Sequence, residues 1–134
     1  MEKFSKQEVD DFRNMYNKFD NLVDEIIEYI ISKKYVRYLT GFSDIESYGY
    51  LSCTANTFDI RIDSYGYEDR DYCFLEIPWE HVYNNSCKEY LDDLVKEDIE
   101  KEKARQQKII QQREEHERQE LKRLLEKYGN QKTV

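Results

Sequence analysis

The chain has little of what builds linkers, crosslinks or membrane spans. Among its 134 residues are one proline, Pro78, and four glycines, so long flexible linkers are not expected. Cys53, Cys73 and Cys87 are an odd number with no CxxC pair, and with two histidines they fit no zinc-ligand spacing. No apolar run approaches the roughly 18 residues that cross a bilayer, and the start, MEKFSKQE, has no secretory apolar core. The expected compartment is reducing cytoplasm. Gly41, Gly49, Gly66 and Gly129 stand alone, so no glycine loop is available to cradle phosphate. No Ser or Cys has a recognisable base beside it. His81 after Glu80, and His116 between Glu115 and Glu117, read as surface residues. The acidic pairs Asp92–Asp93 and Asp69/Asp71 lack the oxygen count of a calcium loop. The expectation is a protein that is not an enzyme and that needs no cofactor or metal.

Charge is abundant and uneven. Residues 1–100 hold 11 Lys/Arg against 23 Asp/Glu, a net of −12, and residues 101–134 hold 10 against 6, a net of +4, which together give the −8 of the whole chain. An acidic body repels nucleic acid and favours basic partners. The same gradient also complements the dipole of a long final helix.

Hydrophobic period locates the elements. Ser5–Glu8 has the pattern of a capping box, followed by Val9, Phe12, Tyr16, Phe19, Val23, Ile26, Ile27 and Ile30 at helical spacing. The helix is expected to run to about Ser32, with a second short helical stretch over Tyr35–Leu39. A continuation to Gly41 as cap, or a strand over Tyr35–Leu39, is the alternative. Tyr48–Thr54, Thr57–Ser64 and Tyr72–Ile77 read as three strands of an antiparallel meander, clearest in the alternation Phe58-Asp-Ile60-Arg-Ile62-Asp63. Ala55-Asn56 is a two-residue turn, and Ser64–Arg70 a longer one. Pro78 ends the third strand, and Trp79, Val82 and Tyr83 are placed as a plug at the end of the core. Ser86–Glu89 is a second capping-box pattern, opening a helix that runs to Tyr128.

The sheet then has two faces. Leu51, Cys53, Phe58, Ile60, Ile62, Cys73, Leu75 and Ile77 are assigned to the face that packs on the first helix. Tyr48, Tyr50, Ser52, Asp59, Arg61, Asp63, Tyr72, Phe74 and Glu76 fall on the other. Tyrosines around a row of charges suit a protein contact, and Tyr65 and Tyr67 flank Gly66 as an aromatic finger beside it. The opposing possibility is that Leu91, Leu94 and Val95 of the last helix cover this face.

That last helix, about 42 residues and roughly 63 Å long, outruns any body the rest of the chain can form, and is expected to project or self-associate. Between Lys96 and Glu120, 15 of 25 residues are charged and five are Gln. A 3.5-residue seam through Val95, Ile99, Glu102, Gln106, Ile109, Arg113 and His116 is too polar for a two-stranded coiled coil. Glu97–Lys101, Glu114–Arg118, Glu102–Arg105 and Glu120–Arg123 supply local ion pairs instead. Ile109, Ile110, Leu121, Leu124, Leu125 and Tyr128 have no reason to be apolar unless covered by a second copy or another protein. The chain thus divides into an α+β body, residues 1–95, and a charged helical extension, residues 96–134.

An amphipathic helix, a tyrosine-rich meander ending in Phe74-Leu-Glu-Ile-Pro78-Trp, and a Lys/Glu/Arg/Gln helix resemble small accessory proteins of bacteriophages, some of them anti-defence inhibitors of the anti-CRISPR type. The resemblance is architectural. It implies action by binding in the host cytoplasm: a stoichiometric inhibitor of a nucleic-acid-handling or defence complex, with an acidic surface able to mimic nucleic acid. A homodimeric structural or adaptor protein, joined through its long helices, is the alternative. Direct nucleic-acid binding by the basic helix end is a third reading, diluted by the glutamates among its Lys and Arg. A membrane partner is not expected.

Overall fold

A computed structural model describes residues 1–65 and 70–129, with all their side chains except those of Tyr50, Leu51, Tyr65 and Arg70. The chain is α+β. Helix α1 (Lys6–Ser32) and short α2 (Val36–Thr40) precede strands β1 (Ser47–Cys53), β2 (Thr57–Tyr65) and β3 (Arg70–Pro78). A turn of helix, α3 (Trp79–Tyr83), then leads into α4 (Cys87–Gly129). Packing divides the chain into two units, Met1–Val95 and Lys96–Val134.

The start of α1 is set by its cap. Ser5 Oγ accepts from the Glu8 amide and the Glu8 carboxylate accepts from the Ser5 amide, both at 3.1 Å. These bonds hold the Glu8 carboxyl below its usual range. Lys34 in a left-handed conformation (φ 61°) separates α1 from α2, and Gly41 caps α2 at φ 78°, where a side chain would be strained.

The sheet is an antiparallel meander in the order β1-β2-β3. The first hairpin turns at Ala55-Asn56. Its Thr54 hydroxyl accepts from the Asn56 and Thr57 amides, and the Thr54 amide donates to the Thr57 carbonyl at 2.9 Å. Alternation along β2 sends Phe58, Ile60 and Ile62 inward, where they meet Val23, Ile26, Ile27 and Ile30 of α1 and Leu75 and Ile77 of β3. Cys87 and Leu91 of α4 complete the same core. The first turns of α4 therefore pack on the apolar face of the sheet, and Tyr72 and Phe74 on the opposite face stay exposed.

One polar clasp ties α4 to α1 and α2. The Tyr29 and Tyr35 hydroxyls both donate to Asp92 Oδ1, at 2.6 and 2.9 Å. Lys88 adds an ion pair to Glu25 at 3.1 Å. The bond to Asp92, then burial, then the carboxylate's charge push the Tyr29 hydroxyl up to about 12 and raise that of Tyr35.

Several expectations need correction. β1 carries a bulge between Tyr50 and Ser52. It shifts the alternation, so Tyr48 pairs with Ile62 and Tyr50 with Ile60, register positions of the core face. The Tyr48 hydroxyl accordingly donates to Asp24 Oδ1 of α1 at 2.9 Å. Cys53 pairs with Phe58 yet is exposed at the strand end. Trp79 does plug the core, packing on Phe19 and Phe58 with Nε1 donating to the Thr54 carbonyl at 2.9 Å. Tyr83 does not: it is 79% exposed, stacked on the outside of Trp79. Ser86 forms no capping box, because its hydroxyl is paired with His81 Nδ1 at 2.9 Å and the His81 ring stacks on Tyr90. The stripe of α1 is buried only from Val23 onward, and Val9, Phe12 and Tyr16 are exposed.

Because the Tyr29 hydroxyl titrates higher in the folded chain than its ordinary value of 10.0, the clasp is intact below about pH 10 and is lost as pH rises towards 12. Tyr29→Phe should cost about 1–2 kcal/mol at neutral pH in urea unfolding. It should also flatten the fall in wild-type stability above pH 10.

Candidate partner-binding face

The uncovered side of the sheet is built from alternate positions of three strands. Asp59, Arg61 and Asp63 of β2 lie opposite Glu76, Phe74 and Tyr72 of β3, and opposite Ser52, Gly49 and Ser47 of β1. Gly49 across from Arg61 leaves open space where a side chain would stand. The Arg61 guanidinium lies over the Tyr72 ring, 4.5 Å from its centroid. Tyr72 in turn meets Phe74 edge-on at 5.9 Å. Tyr72 and Phe74 remain 54% and 45% exposed.

Carboxylates hold this row in place. Arg61 Nε donates to Asp63 Oδ1 at 3.0 Å, and Ser47 Oγ approaches Asp63 Oδ2 at 3.4 Å. Asp59 is buried although it points away from the core, and accepts from Thr57 Oγ1 at 2.8 Å and Ser52 Oγ at 3.4 Å. A cation stacked on an aromatic ring contributes about 0.5–1 kcal/mol at an exposed site, and a ring pair about 0.5–1.5 kcal/mol. These energies are too small to explain two large uncovered rings as a device for stability. The face presents one guanidinium over the first of two adjoining aromatic rings, with the carboxylates of Asp59, Asp63 and Glu76 on the same side of the sheet.

Of the residues assigned to this surface from sequence, Asp59, Arg61, Asp63, Tyr72 and Phe74 are brought together. Tyr48 lies on the other face. Tyr50 shares that face by register, and the aromatic finger of Tyr65 and Tyr67 lies outside the described residues.

In the second unit the helix is held by its own side chains. Glu102 accepts from Arg105 and Gln106, each at 3.1 Å, and Glu120 accepts from Arg123 at 2.6 Å. Arg118 lies 3.9 Å from Glu114 and 3.8 Å from Glu115. The Arg123 bond lowers the Glu120 carboxyl and raises the Arg123 guanidinium. Ile109, Ile110, Leu121, Leu124, Leu125 and Tyr128 are all exposed.

Burial pushes the Cys73 and Cys87 thiols up, with nearby carboxylates adding to it, so thiolate is scarce at both near neutral pH. Among the described residues no helix is long and apolar enough to cross a membrane. Compared with protein-family models, curated proteins and solved structures, the chain matches none.

Sequence reasoning missed the Asp92 clasp and the role of His81. The clasp joins residues 57 and 63 positions apart, and no local pattern marks such a pairing. The His81 corner had a weak signal, a histidine five residues before a helix-opening serine.

The two faces of β2 should respond differently to truncation. Arg61→Ala should cost less than about 1 kcal/mol, whereas Ile60→Ala should cost about 2–5 kcal/mol. Chemical denaturation of the two variants measures the contrast.

Proposed function

We propose that this chain is a non-enzymatic, stoichiometric protein-binding protein whose contact surface is the outer sheet face around Arg61, Tyr72 and Phe74. The observation that carries this reading is an Arg-Tyr-Phe row, the guanidinium over Tyr72 and Tyr72 edge-on to Phe74, whose two rings are exposed among the described residues. Arg and aromatic side chains are the types that interface cores favour. The carboxylates of Asp59, Asp63 and Glu76 around that row favour a basic partner surface. Basic surfaces belong to proteins that handle nucleic acid. Together with the resemblance to phage accessory proteins, this supports an inhibitor that occludes a nucleic-acid-handling or defence complex in a host cytoplasm.

A second reading is self-association as a homo-oligomeric adaptor. The exposed apolar side chains at Ile109–Ile110 and Leu121–Tyr128 favour it, since a helix held by local ion pairs has no other use for them.

The first reading is tested by affinity capture with the full chain from host lysate, comparing wild type with an Arg61→Glu, Tyr72→Ser double variant. A single partner recovered in stoichiometric amount by wild type and lost with the double variant is the expected result. Recovery of no stoichiometric partner, or equal recovery by both proteins, contradicts it.

A further inference from the structure

The spacing of α1 holds more than an amphipathic stripe. Val9, Phe12, Tyr16, Phe19, Val23, Ile26 and Ile30 alternate steps of three and four residues, the a and d positions of a heptad seam. From Phe19 onward the chain's own sheet and helices take up this seam. Before Phe19 no described residue outside α1 does: Val9, Phe12 and Tyr16 are exposed, Phe12 to 70%, and Met15 beside them is half exposed. A cleft of about 420 Å³ lies along the same helix, with Met15, Phe19, Leu22 and Val82 among its lining residues. One half of a continuous seam is covered within the unit, and the other half is bare.

We propose that the bare half of α1 is a dimer contact, packed antiparallel on the same half of α1 in a second copy. This deepens the self-association reading and moves its contact from α4 to α1. The direction follows from sterics. Beyond Phe19 each seam is occupied by its own sheet, so a parallel pair would drive two sheets into the same space. An antiparallel pair puts them at opposite ends.

The register follows from the heptad. With the two-fold axis level with Asn14, Phe12 meets Tyr16 of the second copy, and Val9 reaches the part of Phe19 that its own core leaves exposed. On one flank Lys6 then faces Asp20 of the second copy, twice by symmetry. Both residues are exposed, and among the described residues neither forms an ion pair or a side-chain hydrogen bond, Asp20 acting only through its charge on the Tyr48 hydroxyl. On the other flank Met15 meets its own copy beside the cleft. The one like-charge contact, Arg13 with its copy, lies near the axis, where long side chains can reach solvent. Glu8, which would serve a parallel pair, is engaged in the Ser5 cap. Four aromatic and two methionine side chains at the centre of the contact place it near the small end of specific interfaces, about 1,200 Å². A dimer forming in the micromolar range is the consequence.

Sedimentation of the full chain across the micromolar range tests this, with circular dichroism to show that each variant keeps its fold. Phe12 is exposed in the single chain, so Phe12→Glu should leave the fold intact and weaken the dimer at least about a hundredfold. Lys6→Glu should weaken it about tenfold, and Lys6→Glu with Asp20→Lys should restore it. The two positions are about 21 Å apart along one helix, so a rescue can come only from contact between chains. In a Cys53→Ser background, a Phe12→Cys chain mixed with a Tyr16→Cys chain should form the mixed disulfide. A strictly monomeric wild type overturns both this inference and the self-association reading. A dimer indifferent to Phe12→Glu and abolished by Leu121→Glu with Leu125→Glu overturns only this inference and leaves self-association through α4. A disulfide between two Phe12→Cys chains in preference to the mixed one also overturns it.

Discussion

Everything here depends on one small core that is closed from one side only. Val23–Ile30 of α1, the inward residues of β2 and β3, and Cys87 and Leu91 of α4 meet in a single cluster. A three-stranded sheet needs such a cover to be stable. With one face of the sheet filled, no further helix among the described residues packs on the other. The outer row of Arg61, Tyr72 and Phe74 is uncovered for that reason, as is the half of α1 that extends beyond the sheet.

Local bonds then shape what the core does not reach. Ser5 and Glu8 fix where α1 begins, which keeps Val9, Phe12 and Tyr16 in helical register although all three are exposed and the Phe12 and Tyr16 rings meet only each other among the described residues. Asp92 draws Tyr29 and Tyr35 together and holds the start of α4 on the core. His81, between Ser86 and Tyr90, sets the corner from which α4 departs. In the second unit, pairs such as Glu120–Arg123 act turn by turn, each a weak, solvent-screened contribution to its own turn. Helix sustained by such pairs stays available to a partner without being disordered by its absence.

Much of this architecture was legible in the sequence because hydrophobic period speaks directly to it. The strict alternation of Phe58, Ile60 and Ile62 reported both the strand and its buried face. The break at Ser32 and the short helix after it were expected, whereas Gly41, read as the cap of an unbroken first helix in the alternative, caps the short helix instead. Tyr48 was misplaced because a bulge after Tyr50 adds one residue to one strand, and a one-residue slip reverses every side chain beyond it. Ser86 was misread because a serine four positions before an apolar run signals a cap only when no other acceptor or donor competes for its hydroxyl; His81 does. The outer face was legible through β2 and β3, where alternation is unbroken, and not through β1. The bare half of α1 was hidden for a different reason: period shows which face of a helix is apolar, but not how far along the helix a short sheet can reach.

The central claim is that stability resides in the one-sided core and that the surfaces outside it are held locally. Residue-resolved amide hydrogen exchange tests it most directly. The account predicts that the amides of Ile26, Ile27, Ile30, Ile60, Ile62, Leu75 and Leu91 exchange only through global unfolding. Those of Gln106–Glu120 should exchange far faster, through openings of single turns. Protection at Gln106–Glu120 equal to that of the core would contradict it.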